Sequence, residues 1–335
     1  MGRSRKISGK KAILFSLISV LFSVLFITIF SQNFATSNED KIPGSNIRIK
    51  VIDTYVRNFE TYIGDSIKLS TYRTLDEITK YRDNNGKFFN SFQQFNQTFY
   101  NCMTCGQVSC PGGDSCNLGT NYLVARLNNI SVLSQQQLNI NTTYTINSID
   151  ITQNYPFEIE VTLDISYDIT DDSEGSHYAR WSKRKTITQS VTIIGLLDPT
   201  GYLNDSTNTY NRTIKRYSGI CQFDEACWNY TTTQGFYQDS SFRYYRNGTS
   251  FLNRYWNDNE GVSCCGIETI IHPQEISTID KNNSYIDHYY WNETYTCSGG
   301  KQIMNVTFGT DEIHLDKDTA LRYGLANKSS TYCTP

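Results

Sequence analysis

The chain has 335 residues, 30 basic against 33 acidic for a formal net charge of −3, and a mean hydropathy of −0.47. Five basic residues and no acidic ones precede residue 31, so the remainder carries 25 basic against 33 acidic residues, a net −8. That balance excludes the clustered basic face that a nucleic-acid backbone requires, and the one short run, Lys183-Arg184-Lys185, reads as part of a half-exposed strand.

Residues 1–11 hold Arg3, Arg5, Lys6, Lys10 and Lys11, and residues 12–30 follow as an uncharged apolar stretch. At about 1.5 Å rise per residue, that stretch reaches close to the roughly 30 Å hydrocarbon core of a bilayer. The positive-inside rule then keeps 1–11 cytoplasmic and places everything after about residue 31 outside the cytoplasm. Ala35-Thr36-Ser37 offers a signal-peptidase site, but the apolar stretch exceeds the about 7 to 15 residues of a signal peptide, so a retained single-pass anchor is expected. Residues 31–44 read as a juxtamembrane linker, with Pro43 and Gly44 as breakers.

Residues 45–100 read as packing helices. Ser45 can cap the first, and Ile52, Val56, Phe59, Ile63 and Ile67 recur at spacings of three and four on one face, with Lys50, Asp53, Arg57, Glu60 and Lys68 elsewhere. The stripe must cover something, and a sheet of the same domain is expected, with a neighbouring copy as the alternative through segments 12–30 and 45–82. After Asp83-Asn84-Asn85-Gly86, a second helix carries Phe88, Phe92, Phe95 and Phe99 as a core-facing aromatic row. It runs into the cysteines, and a third helical segment holds Tyr122, Leu123, Leu127 and Ile130.

Residues 101–198 open with Cys102, Cys105, Cys110 and Cys116 and turn to period two. Phe157, Ile159, Val161, Leu163, Ile165, Tyr167 and Ile169 alternate with Glu158, Glu160, Thr162, Asp164, Ser166 and Asp168, which predicts a strand buried on one face. Strands over 144–151 and 181–194 flank it, and a helix lying on this antiparallel meander gives an α+β ectodomain. Residues 199–335 form a Tyr- and Asn-rich strand and loop region with six further cysteines.

Outside the cytoplasm the ten cysteines read as disulfides rather than as a zinc knuckle. The expected grouping is Cys102, Cys105, Cys110 and Cys116 locally, Cys221 with Cys227, and Cys264, Cys265, Cys297 and Cys333 among themselves. Sequons occur at Asn96, Asn129, Asn141, Asn204, Asn211, Asn229, Asn247, Asn282, Asn292, Asn305 and Asn327, where composition alone predicts about five, and this implies a glycan-coated surface.

Catalytic signatures are sparse. His177, His272, His288 and His314 lack paired-ligand spacing, and Gly248-Thr249-Ser250 lacks the second glycine of a nucleophile elbow. Asp316-Lys317-Asp318 could hold a metal-bound sugar nucleotide, as in an anchored glycosyltransferase, but Asp316 is expected instead to cap a short helix over Thr319, Ala320 and Leu321, with Gly324 as its stop. Asp168, Asp171, Asp172 and Glu174 could surround Ca²⁺ but read as a solvated hairpin turn.

The order of parts, a short basic Gly9-Lys10-Lys11 leader, an apolar helix, a long amphipathic helix and a β-rich head, resembles the membrane-anchored, type IV pilin-like surface proteins of archaea. Gly195-Leu196-Leu197-Asp198-Pro199, Ser250-Phe251-Leu252-Asn253-Arg254 and Cys265-Gly266-Ile267-Glu268 are also similar to stretches that recur in proteins of that kind. The resemblance implies cleavage near Gly9 by a prepilin-type peptidase and lateral packing of the apolar helices. The expectation is thus a non-enzymatic, glycosylated, single-pass surface protein with a structural, adhesive or pilin-like role and no cofactor or metal. Surface or glycan partners would meet Tyr-rich loops bearing Tyr237, Tyr244, Tyr245, Tyr289 and Tyr290.

Overall fold

A computed structural model describes residues 44–85, 88–105, 120–172, 179–200, 212–219, 221, 225–258, 264–276 and 282–335. The expected cytoplasmic segment, the anchor at 12–30 and the linker up to residue 43 lie outside the described residues, among which no helix is long and apolar enough to cross a membrane. The fold is α+β with antiparallel sheets.

Helix α1 spans Gly44–Asn85, so Gly44 is its first residue rather than the end of the linker. From residue 52 onward the chain forms one compact unit. In it the stripe Ile52, Val56, Phe59, Ile63 and Ile67 is buried as its spacing predicts, continued by Leu75 and Ile78. The partner is the chain's own sheet: Phe59 meets Tyr167 edge to face at 5.6 Å, and the Tyr55 and Thr142 hydroxyls lie 2.9 Å apart. Each fully buried Ile, Leu or Phe contributes about 1.5–3 kcal/mol, so this face supplies much of the driving force for folding.

Helix α2 spans Phe92–Cys105 and begins with Ser91 Oγ accepting from Gln94 N at 3.3 Å while Gln94 Oε1 accepts from Asn90 N at 2.7 Å. Only part of the aromatic row faces inward. Phe95 and Phe99 are fully buried, joined by Phe89 before the helix, whereas Phe92 is 43% exposed against Trp256 and Phe88 is half-buried. The helix starts after Phe88, so the i, i+4 spacing back to that residue has no helical meaning. Helix α3, Leu123–Leu138, ends at Asn139 in the left-handed region, φ 51°.

The meander is β1 (Ile140–Tyr155), β2 (Glu158–Asp171) and β3 (Arg180–Thr192), in the order β1-β2-β3. Ile159, Val161, Leu163, Ile165, Tyr167 and Ile169 all point into the core. The register Tyr167↔Lys183 and Ile165↔Lys185 puts two of the three basic residues of the short run on this inner side, where both pair with Glu60 of α1, Lys183 at 2.7 Å. Burial alone would raise the Glu60 carboxyl, but Lys183, Lys185 and the Tyr167 hydroxyl outweigh it and hold it at about 2. Glu60 is therefore a clasp on the sheet rather than an outward-facing charge.

The rest of the chain uses short elements. Helix α4 (Tyr230–Asp239) precedes strand β4 (Arg243–Tyr244), which pairs with β5 (Ile267–Glu268); helix α5 is Asp287–Tyr290. A final sheet places β6 (Ile303–Phe308) between β7 (Asp311–Asp316) and β8 (Ser329–Cys333), with helix α6 (Lys317–Arg322) after β7. Tyr255 joins this part to the helices: its ring stacks on Phe95 at 4.7 Å and its hydroxyl lies 2.7 Å from Thr79 Oγ1.

Candidate functional site

Two buried ionic nodes occupy the short-element region. At the first, Arg254 is fully buried in a single-turn 3-10 helix, Asn253–Trp256, whose first residue donates from its N–H to Ser250 Oγ at 3.2 Å. Its Nη1 donates to Asp198 Oδ2 at 2.9 Å and to Asp287 Oδ2 at 2.6 Å, and its Nη2 donates to the Ile267 carbonyl at 2.5 Å. The three segments singled out above, 195–199, 250–254 and 265–268, therefore converge on one guanidinium. Burial pushes the Asp198 carboxyl up, with Arg254 opposing it and Asp287 adding to it. Burial also acts to raise Asp287, but Arg254 and His288 outweigh it, so Asp287 is held low and carries the charge.

At the second node, the Glu268 carboxylate is fully buried on β5. Arg243 Nε donates to it at 2.8 Å, Arg322 Nη2 at 3.0 Å and the Tyr323 hydroxyl at 2.8 Å. Burial would raise its pKa, but the Arg322 and Arg243 guanidinium groups outweigh burial and keep it below the usual range. The Arg322 guanidinium lies 3.8 Å over the Tyr245 ring, a contact that holds a partly desolvated cation against an aromatic face. Tyr289 stacks on Tyr295 at 3.6 Å, and Lys301 Nζ sits 5.2 Å over Tyr295. The nodes meet at His288, whose Nδ1 lies 3.1 Å from Asp287 Oδ1 and whose ring is 4.1 Å from that of Tyr289. Among the described residues its Nε2 has no hydrogen-bonding partner, and Asp287 orients the ring through Nδ1.

The tyrosines divide by burial. Tyr245 and Tyr289 are half-exposed beside the Glu268 node and Tyr244 is half-exposed on β4, but Tyr237 is 2% and Tyr290 5% exposed, which corrects their assignment to a contact surface. Tyr237 is held inside by its hydroxyl bond to Asp311 Oδ2 at 2.7 Å and by stacking on His272 at 3.9 Å; Tyr290 packs edge-on against Tyr285.

The other expected sites resolve as follows. Asp316 caps α6 through Thr319 N at 3.0 Å and accepts from Ser284 Oγ at 2.8 Å, with Gly324 at φ +66° as the stop, while Asp318 is 75% exposed and faces Lys301. The two carboxylates thus have separate tasks. In the acidic turn, Asp168 pairs with Arg180 and Asp172 accepts from Gln135, whereas Asp171 is buried; Glu174 and His177 lie outside the described residues. His272 meets the Tyr237 carbonyl at 2.7 Å and His314 stacks on Tyr285. No group of three or more His, Cys, Asp or Glu suited to a metal ion occurs among the described residues.

Cysteine pairs stand at disulfide distance for Cys221 and Cys227, Cα–Cα 5.7 Å, for Cys297 and Cys333, 6.2 Å, and for the adjacent Cys264 and Cys265, 3.8 Å. Cys102 and Cys105 are also disulfide-bonded, and Cys110 and Cys116 lie outside the described residues. Of the sequons, Asn129, Asn141, Asn229, Asn247, Asn282 and Asn327 are exposed; Asn96, Asn292 and Asn305 are half-buried; Asn204 and Asn211 lie outside the described residues. Asn229 and Asn292 use their side-chain carbonyls as caps, so these cap bonds do not engage Nδ2, the atom a glycan joins. Asn305 instead spends Nδ2 on Glu312 at 2.5 Å in the central strand of its sheet. The outer face of the first sheet carries a shallow depression of about 290 Å³ lined by Thr143, Thr145, Ser166, Asp168, Ser182 and Arg184. Its charges are already paired, Asp168 with Arg180 and Arg184 with Asp164.

No protein-family model, curated protein or solved structure matches the chain.

Proposed function

We propose that the chain is a single-pass, membrane-anchored extracytoplasmic surface protein with a structural, adhesive or pilin-like role and no catalytic step of its own. The observation that carries this reading is the uncharged apolar stretch 12–30 behind five basic residues and ahead of an acidic remainder. Paired cysteines and outward-facing sequon asparagines support it, since both suit an oxidising exterior. The half-exposed Tyr244, Tyr245 and Tyr289 are the contact surface, with Tyr245 and Tyr289 backed by the Glu268 node, because aromatic rings on a fixed support give contact area at little entropic loss. The glycosyltransferase alternative would need Asp316, which is spent on the α6 cap.

The test is labelling of intact cells with a membrane-impermeant amine reagent, followed by alkaline washing of the membranes. The chain is expected in the washed membranes, with the exposed Lys68 and Lys317 labelled and Lys10 and Lys11 not. Recovery in the soluble fraction, or labelling only after lysis, overturns the reading. Mass spectrometry of the N-terminal peptide adds the pilin branch: a mature start within residues 9–12 marks prepilin-type processing, and an intact start marks a permanent anchor.

A further inference from the structure

Cys264 is the one exposed cysteine among the described residues, and its partner Cys265 is fully buried. The two are neighbours in sequence, whereas the other described pairs span separations of 6 and 36 residues. A disulfide stabilises a fold chiefly by closing a loop in the unfolded chain, and a bond between adjacent residues closes none. Its two sulfurs lie 3.6 and 3.3 Å from the Gln153 carbonyl oxygen, an acceptor already in place for a thiol hydrogen.

The backbone just beyond the pair is fixed by other means. Gly266 is wedged so tightly that an added Cβ would stand 2.2 Å from the Gly248 carbonyl oxygen and 2.3 Å from that of Tyr245. Its own carbonyl accepts from Tyr245 N at 2.9 Å, and β5 follows with its pairing to β4. Opening the disulfide therefore leaves the register of this segment to bonds that do not involve sulfur.

We propose that Cys264–Cys265 is a thiol–disulfide exchange site that accepts an incoming thiol at Cys264. The thiolate attacks Cys264 Sγ, forming a new sulfur–sulfur bond as the one to Cys265 breaks. The electron pair leaves on Cys265 Sγ, which takes up a proton equivalent to the one lost by the attacking thiol, and the resulting thiol donates a hydrogen bond to the Gln153 carbonyl. With a monothiol the product is a mixed disulfide on Cys264 and no net oxidation. With a dithiol, its second sulfur attacks the mixed disulfide, leaving Cys264 and Cys265 as thiols and the dithiol oxidised by two electrons. This reaction goes beyond the surface role and does not depend on it, because it needs only the folded chain with the pair oxidised.

The test uses the full chain in detergent, exposed to a dithiothreitol series, quenched with iodoacetamide, digested and read by mass spectrometry, with circular dichroism on parallel samples. Cys264 and Cys265 are expected to be alkylated at dithiothreitol concentrations about tenfold below those that open Cys221–Cys227 and Cys297–Cys333, with the spectrum unchanged. Simultaneous opening of all three pairs, or loss of structure at the concentration that opens Cys264–Cys265, overturns the proposal. A second arm treats Cys265→Ser with oxidised glutathione. A glutathione adduct on Cys264 is expected, and a folded Cys265→Ser protein without one counts against the site; if that variant does not fold, the wild-type series decides.

Discussion

The region from residue 52 to the end of β3 and the region after it solve the same problem with different materials. The first lays one apolar helical stripe on one apolar sheet face, and its ionic contacts, such as Glu60 with Lys183, sit at the margin. The second has short strands and single turns, and its segments are tied together by buried charges: Arg254 with Asp198 and Asp287, and Glu268 with Arg243 and the partly exposed Arg322. Removing a methylene from an apolar face leaves a gap that neighbours partly fill. Removing one member of a buried ion set leaves a bare charge that nothing can cover.

That contrast can be broken most directly at Arg254. Arg254→Ala strands Asp198 and Asp287 and is expected to destabilise the fold by about 3–5 kcal/mol in chemical denaturation, far beyond a surface arginine such as Arg180. An unfolding midpoint close to that of Arg180→Ala would show the node to be dispensable. Next comes Leu163→Ala, in the middle of the apolar face, expected at about 2–5 kcal/mol with the same denaturant slope, because the sheet stays assembled around the cavity.

The smallest effect belongs to Glu60 and sharpens the comparison through pH. Its carboxyl is held at about 2 in the folded chain against an ordinary 4.5. Its contribution is therefore fully present above pH 4.5 and is lost as pH falls toward 2. Thermal melts of the wild type and Glu60→Gln should differ at pH 6 and converge as pH falls from 4.5 through about 2; a constant difference across that range would mean that the clasp does not act through charge.

The two regions also differ in what could be read before the fold was known. The alternation through β2 is legible because β2 is the central strand with one wet face, so every second residue obeys the same constraint. The α1 stripe is legible for the same reason at period 3.6. Glu60 misleads: its helical position reads as outward, yet the inward-pointing Lys183 and Lys185 on the sheet's edge strand draw it in. The nodes have no period at all, since Asp198, Arg254, Glu268 and Asp287 come from separate short segments and nothing in spacing says that they meet. The available signal was the single charged residue that each of three short segments carries, Asp198, Arg254 and Glu268. Tyrosine content likewise could not separate Tyr245, which borders solvent, from Tyr237, which fills the core.

Tyr255 has a consequence for how the molecule comes apart. Its ring is built into the aromatic contacts of α2, its hydroxyl reaches both Thr79 and the Leu75 carbonyl on α1, and its own carbonyl accepts from Phe89 N. The residue just before it is Arg254. A fluctuation that frees the end of α1 must therefore also pull on the guanidinium that gathers the short segments, so the two differently built regions open in a single cooperative step rather than fraying one after the other.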